Sequence, residues 1–142
     1  VNVDILNQYL SHDYFQQKPP KSLDRNSFSL ELVKGLSVED ATATLSAFTI
    51  ESVRNSQVFF PSTVNQWIVC GGGRLNGELM RMLQVKLDAK VVRSEELGWD
   101  GDALEAQAFA FLAVRSIMNL PLSFPNTTGV KNSTVGGVLN LP

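Results

Sequence analysis

Gln66-Trp67-Ile68-Val69-Cys70-Gly71-Gly72-Gly73-Arg74-Leu75-Asn76 is the stretch on which the fold turns. A short apolar run ends in three glycines. Beyond Asn76 the apolar positions Leu79, Met80, Leu83 and Leu87 recur at three- and four-residue steps. The pattern predicts a strand, a glycine turn and a helix from Asn76 to Leu87. Glycine lets a backbone turn sharply or approach a ligand closely. Amides at the start of the following helix favour an anion. A nucleotide site is therefore one reading of the turn, and a tight connection with no ligand is the other. Three consecutive glycines exceed what a turn needs, since each costs roughly 0.5–1 kcal/mol of backbone entropy in ordered structure.

Downstream, Ala89 to Val92 is a second strand candidate. Strand, glycine turn, helix and strand make a βαβ unit, with parallel strands and a right-handed crossover. The unbroken apolar run Trp67–Cys70 suits a central strand covered on both faces. Upstream, Ser37 is a helix N-cap with acidic Asp40 three residues on, and Val38 to Arg54 reads as a long helix. Its threonines, Thr42, Thr44 and Thr49, are mediocre helix formers, so burial has to carry it. Such a long apolar element, Val38 to Val53, can pack within the domain or across a homodimer. Val58 to Pro61 is a loop or short edge strand.

Residues 1–36 read as a linker with short helices. Val3 to Leu10 is amphipathic, Pro19-Pro20 stops any helix, and Phe28 to Val33 is a short element ended by Gly35. From Gly101 onward, Ala103, Leu104, Ala106, Ala108, Phe109, Phe111, Leu112, Val114, Ile117 and Met118 leave almost no polar face. A helix apolar all round is predicted to be buried. The tail from Pro121 to Pro142 is rich in Pro, Gly, Thr and Asn, with Thr134 to Leu139 a last short strand. The elements together give an α/β class, helices on a small, mainly parallel sheet.

The 142 residues are 44% apolar with net charge −2, which supports one packed domain and gives no reason to expect nucleic acid or an anionic membrane surface. No apolar run approaches the ~20 residues of a membrane span, and no secretory signal opens the chain. One cysteine, Cys70, and one histidine, His12, cannot supply a disulfide or a zinc site. A cytoplasmic protein is the expectation. The start at Val1, without methionine, leads us to expect an upstream portion.

Gly71, Gly72 and Gly73 lead the candidate residues. Their spacing is neither the dinucleotide fingerprint nor the phosphate loop. Asn76 can cap the helix or read a ribose or base. Arg74 can meet a phosphate or lie solvated. Glu105, early in the apolar helix, shares a face with Phe109 and Leu112. It reads either as half of an acidic pair with Asp102 favoured by the helix dipole, or as a cleft carboxylate accepting hydrogen bonds from a polar ligand. Cys70 reads as a small apolar strand residue. His12 and Asp13 read as surface loop. Asp100 and Asp102 around Gly101 are weak as a metal signature, although Mg²⁺ held mainly by phosphates leaves little spacing trace.

Several stretches together resemble the C-terminal part of the anhydro-N-acetylmuramic acid kinase family. They are Pro19-Pro20-Lys21-Ser22, Ala43 to Thr49, Val69 to Asn76, Leu97 to Ala110 and Leu120 to Val130. The three glycines and Trp99-Asp100-Gly101-Asp102-Ala103-Leu104-Glu105-Ala106-Gln107-Ala108-Phe109 are the specific blocks. The resemblance implies the C-terminal lobe, residues 1–142, of an actin-like (ribonuclease H-like) two-lobed ATPase fold. It implies ATP with Mg²⁺ as cofactor and 1,6-anhydro-N-acetylmuramic acid as substrate, phosphorylated and hydrolytically opened to N-acetylmuramic acid 6-phosphate in cell-wall sugar recycling. It implies that Gly71, Gly72 and Gly73 back onto the nucleotide, where the amide of Asn76 would join them, and that Glu105 reaches the sugar. The family's phosphate loop and water-activating aspartate have no match here. They are expected in an N-terminal lobe of the same enzyme, without which this chain is inactive. One departure is that where the family continues Pro-Pro-Lys-Ser with Thr-Gly-Arg-Glu, this chain has Leu23-Asp24-Arg25-Asn26, which keeps only the arginine. The competing hypothesis is a non-catalytic actin-like binding or assembly module.

Overall fold

The structure, a computed structural model, describes residues 1–140 apart from the side chain of Arg25. Five helices and two strands follow in order: α1 (Val3–Leu10), α2 (Val38–Ser56), β1 (Gln66–Val69), α3 (Gly77–Lys86), β2 (Lys90–Arg93), α4 (Leu104–Ile117) and α5 (Pro125–Thr128). Short 3₁₀ turns join them. The strands pair in parallel, with Gln66 opposite Lys90 and Val69 opposite Arg93, and α3 is the crossover. The βαβ unit expected from the glycine turn is therefore present.

Local chemistry explains the helix ends. The Ser37 hydroxyl accepts from the Asp40 amide at 3.1 Å and starts α2. Asn76 Oδ1 accepts from the Glu78 and Leu79 amides, both at 3.1 Å, and starts α3. These are the donors a helix N-terminus leaves orphaned. The core lies between α2, α3 and the sheet. Ile50, Leu83 and Leu87 are its buried centre, with Val53, Trp67, Val69, Leu79, Met82 and Val91 packed around them. Burying each large aliphatic side chain contributes about 1.5–3 kcal/mol. Glu51 ties α2 to α3 through Lys86 at 2.7 Å, and this contact, with Arg54 at 3.1 Å, holds its carboxyl below the usual range. Thr44 is fully buried: its hydroxyl donates to the Asp40 carbonyl and accepts from the Asn2 amide. Burial does carry α2 past its threonines, and α2 packs within the chain against α1 and α3.

Residues 1–36 pack on α2 rather than trailing from it. Tyr9 stacks on Phe48 with ring centroids 4.9 Å apart, and Phe28 meets Phe48 edge-on at 5.1 Å. The Tyr9 hydroxyl donates to the Ser29 carbonyl at 2.6 Å. His12 Nδ1 accepts from the Tyr14 amide and caps a 3₁₀ turn.

Three expectations need correction. Strand β1 is covered on one face only: Trp67 and Val69 meet the core while Ile68 remains 40% exposed. A run of apolar residues set its predicted burial, but helices lie against only one of its faces. Helix α4 has no buried residue; Phe109, Phe111 and Ile117 are each at least 60% exposed. Its composition reports the apolar surface it carries, and among the described residues only loop segments around Leu122 and Gly136–Leu139 lie along it. The predicted last strand shrinks to one antiparallel bridge, Ser123 to Thr134, with no ladder beyond it. Leu141 and Pro142 of the tail lie outside the described residues.

Candidate functional site: a cleft between the glycine turn and the start of α4

The glycine turn and the loop before α4 face each other. Between them lies a cleft of about 460 Å³ lined by Cys70, Gly71, Gly72, Gly101, Asp102, Leu104 and Glu105. Residues 71–72 and 101–105 are some thirty positions apart in sequence. The parallel pairing of β1 and β2 brings the chain back so that both stretches leave the same end of the sheet. Ligand sites of open α/β sheets lie outside the carboxyl ends of the strands.

Each wall has a local cause. Gly71 has φ +68° and ψ −178°, a conformation open essentially to glycine alone. It turns the chain out of β1 into a 3₁₀ turn, Gly72–Leu75. Gly72 is different. Its φ is not positive, and a Cβ added there would meet nothing within 4 Å. The same holds for Gly73, which does not line the cleft. The fold therefore demands glycine at 71 and leaves 72 and 73 unexplained by fold alone. On the opposite wall, Asp100 Oδ1 accepts from the amides of Asp102 and Ala103 at 3.0 and 3.3 Å, folding the loop into α4. Glu105 sits exposed in the first turn of α4, where the helix dipole favours negative charge.

Arg74 is the buried feature that the sequence hid. It is neither solvated nor free for a phosphate: only 3% of it is exposed. Its guanidinium donates to Glu95 Oε1 through Nε at 2.6 Å. Through its terminal nitrogen Nη1 it also donates to Asp102 Oδ1 at 2.9 Å and to the Gly71 carbonyl at 3.0 Å. These contacts, Asp102 first and then Glu95, raise the already high pKa of the guanidinium. Conversely, the hydrogen bond from Arg74 holds the Asp102 and Glu95 carboxyls below their usual range. A methyl group on Gly101 would overlap Arg74 Nε and lie 2.6 Å from both Arg74 Cζ and Ser94 Oγ. Gly101 is glycine because Arg74 lies directly behind it.

The predicted site residues divide accordingly. Gly71, Gly72 and Glu105 line one cleft. Asn76 is on the far side of the turn, its Oδ1 committed to the amides of α3. That cap also removes the first amides of α3 from any anion, so the generic helix-terminus site does not form here. Asp102, the other half of the acidic pair ahead of α4, is bonded to Arg74 rather than free. Cys70 lies exposed at the cleft rim rather than packed in the strand. Among the described residues Glu105 enters no ion pair, which leaves it the free carboxylate of the cleft.

The sequence matches the family model for anhydro-N-acetylmuramic acid kinase over residues 1–141. The chain belongs to that family. It is 54% identical over 132 residues to the anhydro-N-acetylmuramic acid kinase of Rhodospirillum rubrum, covering 93% of this chain and 35% of that protein. The proteins of the same name from Zymomonas mobilis and Paramagnetospirillum magneticum are 50% and 49% identical. They align with 96% and 100% of this chain and with 38% and 41% of their own lengths. The chain thus spans about two-fifths of the length of the family members it matches.

The cleft is lined by glycine backbone on one wall and by the carboxylates of Asp102 and Glu105 on the other. For a divalent cation it offers little. Among the described residues no three His, Cys, Asp or Glu side chains come together, and Asp102 is already paired. Mg²⁺ would reach this chain through Glu105 at most and otherwise through phosphates. Among the described residues no helix is long and apolar enough to cross a membrane.

Proposed function

We propose that this chain is the C-terminal, nucleotide- and sugar-binding lobe of an actin-like (ribonuclease H-like) kinase. The enzyme transfers the γ-phosphoryl group of ATP to 1,6-anhydro-N-acetylmuramic acid. In the overall reaction water adds at the anomeric carbon, the bond from that carbon to O6 breaks, and O6 takes the phosphoryl group. The product is N-acetylmuramic acid 6-phosphate. A cytoplasmic place follows from ATP as donor, and the pathway it serves is recycling of cell-wall sugars.

One observation carries this reading: Gly72 lines a cleft opposite an unpaired Glu105, with open space where its side chain would be. A bare backbone that the fold does not require is what close approach of a ligand requires. The glycine wall accordingly takes the adenosine end of ATP. Glu105 accepts hydrogen bonds from sugar hydroxyls and orients the ring. Phosphoryl transfer depends on positioning and charge stabilisation more than on covalent chemistry by the protein. This lobe supplies positioning. The phosphate loop and the aspartate that activates water belong to an N-terminal lobe of the same enzyme, and Mg²⁺ arrives with the ATP.

ADP release by the full-length protein, followed with and without the anhydro sugar, tests the proposal. Sugar-dependent turnover is expected. Glu105→Gln is then expected to lower kcat/KM for the sugar by about ten- to a hundredfold, the loss of a hydrogen bond to a charged group. Absence of any sugar-dependent turnover supports a non-catalytic binding or assembly module instead.

A further inference from the structure

We infer that Arg74 is a positioning residue that sets the spacing between the two walls of the cleft. The inference rests on the nucleotide and sugar reading of those walls. Three contacts of one buried guanidinium carry it. Nη1 holds the Gly71 carbonyl, which belongs to the nucleotide wall. The same nitrogen holds Asp102, three residues before Glu105 on the sugar wall. Nε holds Glu95, in the 3₁₀ turn Ser94–Leu97 that directly follows β2 and so anchors the fork to the sheet. The rigid planar fork of arginine fixes directions that a lysine ammonium cannot. Gly101 seals the arrangement, because any side chain there would displace the guanidinium.

Arg74 also sets the charge of the cleft. Asp102 and Glu105 both border it, and two free carboxylates would repel the phosphates of ATP. Pairing of Asp102 with Arg74 leaves one carboxylate, Glu105, available to the sugar. Arg74 itself is buried and lines no part of the cleft, so its effect on either ligand runs through the residues it holds. Nucleotide and sugar affinities are therefore coupled through a residue that touches neither.

Steady-state kinetics of the full-length kinase carrying Arg74→Lys tests this, with KM measured separately for ATP and for the anhydro sugar. Both KM values are expected to rise together by about tenfold, because small misplacements of positioning groups are costly. A folded Arg74→Lys protein with both KM values at wild-type level would overturn the inference, since a purely structural arginine moves the melting temperature and not the KM values. Should Arg74→Lys fail to fold, Asp102→Asn replaces it. That variant keeps the Gly71 and Glu95 contacts and weakens the tie to the loop leading into α4, on the sugar wall, so sugar KM is expected to rise by a larger factor than ATP KM. Equal or absent changes contradict the inference. Gly72→Val and Glu105→Gln, assayed in parallel, separate the two levels of the argument. If neither alters its own ligand's KM, the reading of the walls fails. If both do and the Arg74 and Asp102 variants do not, only the coupling fails.

Discussion

Helix α4 is the more apolar of the two long helices, yet α2 is closed over by its neighbours and α4 is not. Ile50 on α2 is 1% exposed and meets Leu83 and Leu87 of the α3 segment. Phe109 on α4 is 64% exposed and borders an open apolar groove with Leu122 and Val138. Hydrophobic content measures how much surface a helix can bury, whereas the fold decides which part of it finds a partner. The βαβ half of the chain is self-sufficient in this sense. The half beginning at α4 contributes its first turn to the cleft and leaves much of its apolar length exposed.

The sharpest way to break that contrast is truncation on each side. Ile50→Ala is expected to destabilise the chain by about 2–5 kcal/mol, as deletions in closed cores do. Urea midpoints at constant slope read the difference. A smaller second effect concerns the corner that joins the halves. Gly101→Ala drives a methyl group against Arg74 and Ser94, at an expected cost of about 1–3 kcal/mol. Gly72→Ala, placed in open space at an ordinary φ, is expected to be neutral or slightly stabilising in the same assay. Equal losses at 72 and 101 would remove the distinction between a glycine the packing requires and one it does not.

Acid titration sharpens the comparison further. Asp102, Glu95 and Glu51 are all held below the usual carboxylate range by hydrogen bonds from Arg74 or Lys86. Their folded pKa values lie below their unfolded ones. The unfolded chain therefore binds more protons in that window, and stability rises with pH there. The contribution is fully present above the ordinary carboxylate pKa, about 4, and is lost as pH falls below it toward the depressed values. Urea midpoints measured at neutral, mildly acidic and strongly acidic pH are expected to fall mainly in the last step. Replacement of Asp102 by Asn is expected to flatten that fall, and an unchanged acid profile would show that the pair with Arg74 contributes nothing. The smallest effect belongs to α4: Phe109→Ser is expected to change stability of this chain by less than about 0.5 kcal/mol. A loss as large as that of Ile50→Ala would show that α4 is packed after all.

Much of this was legible in the residues. Helical periodicity placed α1, α2 and α3, and short apolar runs placed both strands, each within a residue or two of where it lies. Ser37 and Asn76 announced helix starts through a side chain that bonds its own backbone, a contact that needs no knowledge of the rest of the fold. Gly71, Gly72 and Glu105 were legible as candidates, and their meeting in one cleft follows from the parallel return of β2. Asn76 as a ligand group was not separable from Asn76 as a cap, since one oxygen serves either use. Arg74 was illegible because its partners, Glu95 and Asp102, are distant in sequence, and nothing local marks an arginine as buried. The exposure of α4 was hidden for the opposite reason: its composition states a need for cover without stating where cover lies.

The claim on which the rest depends is that the Gly71–Gly72 wall meets the nucleotide. Binding of a non-hydrolysable ATP analogue to the full-length protein, measured by calorimetry for wild type and Gly72→Val, tests it most directly. Open space at position 72 keeps the fold tolerant of a side chain, so the melting temperature without ligand is expected to stay close to wild type. Affinity for the analogue is expected to fall by about tenfold or more, because the added side chain stands where the ligand would lie. Wild-type affinity in a Gly72→Val protein of normal stability would contradict the account.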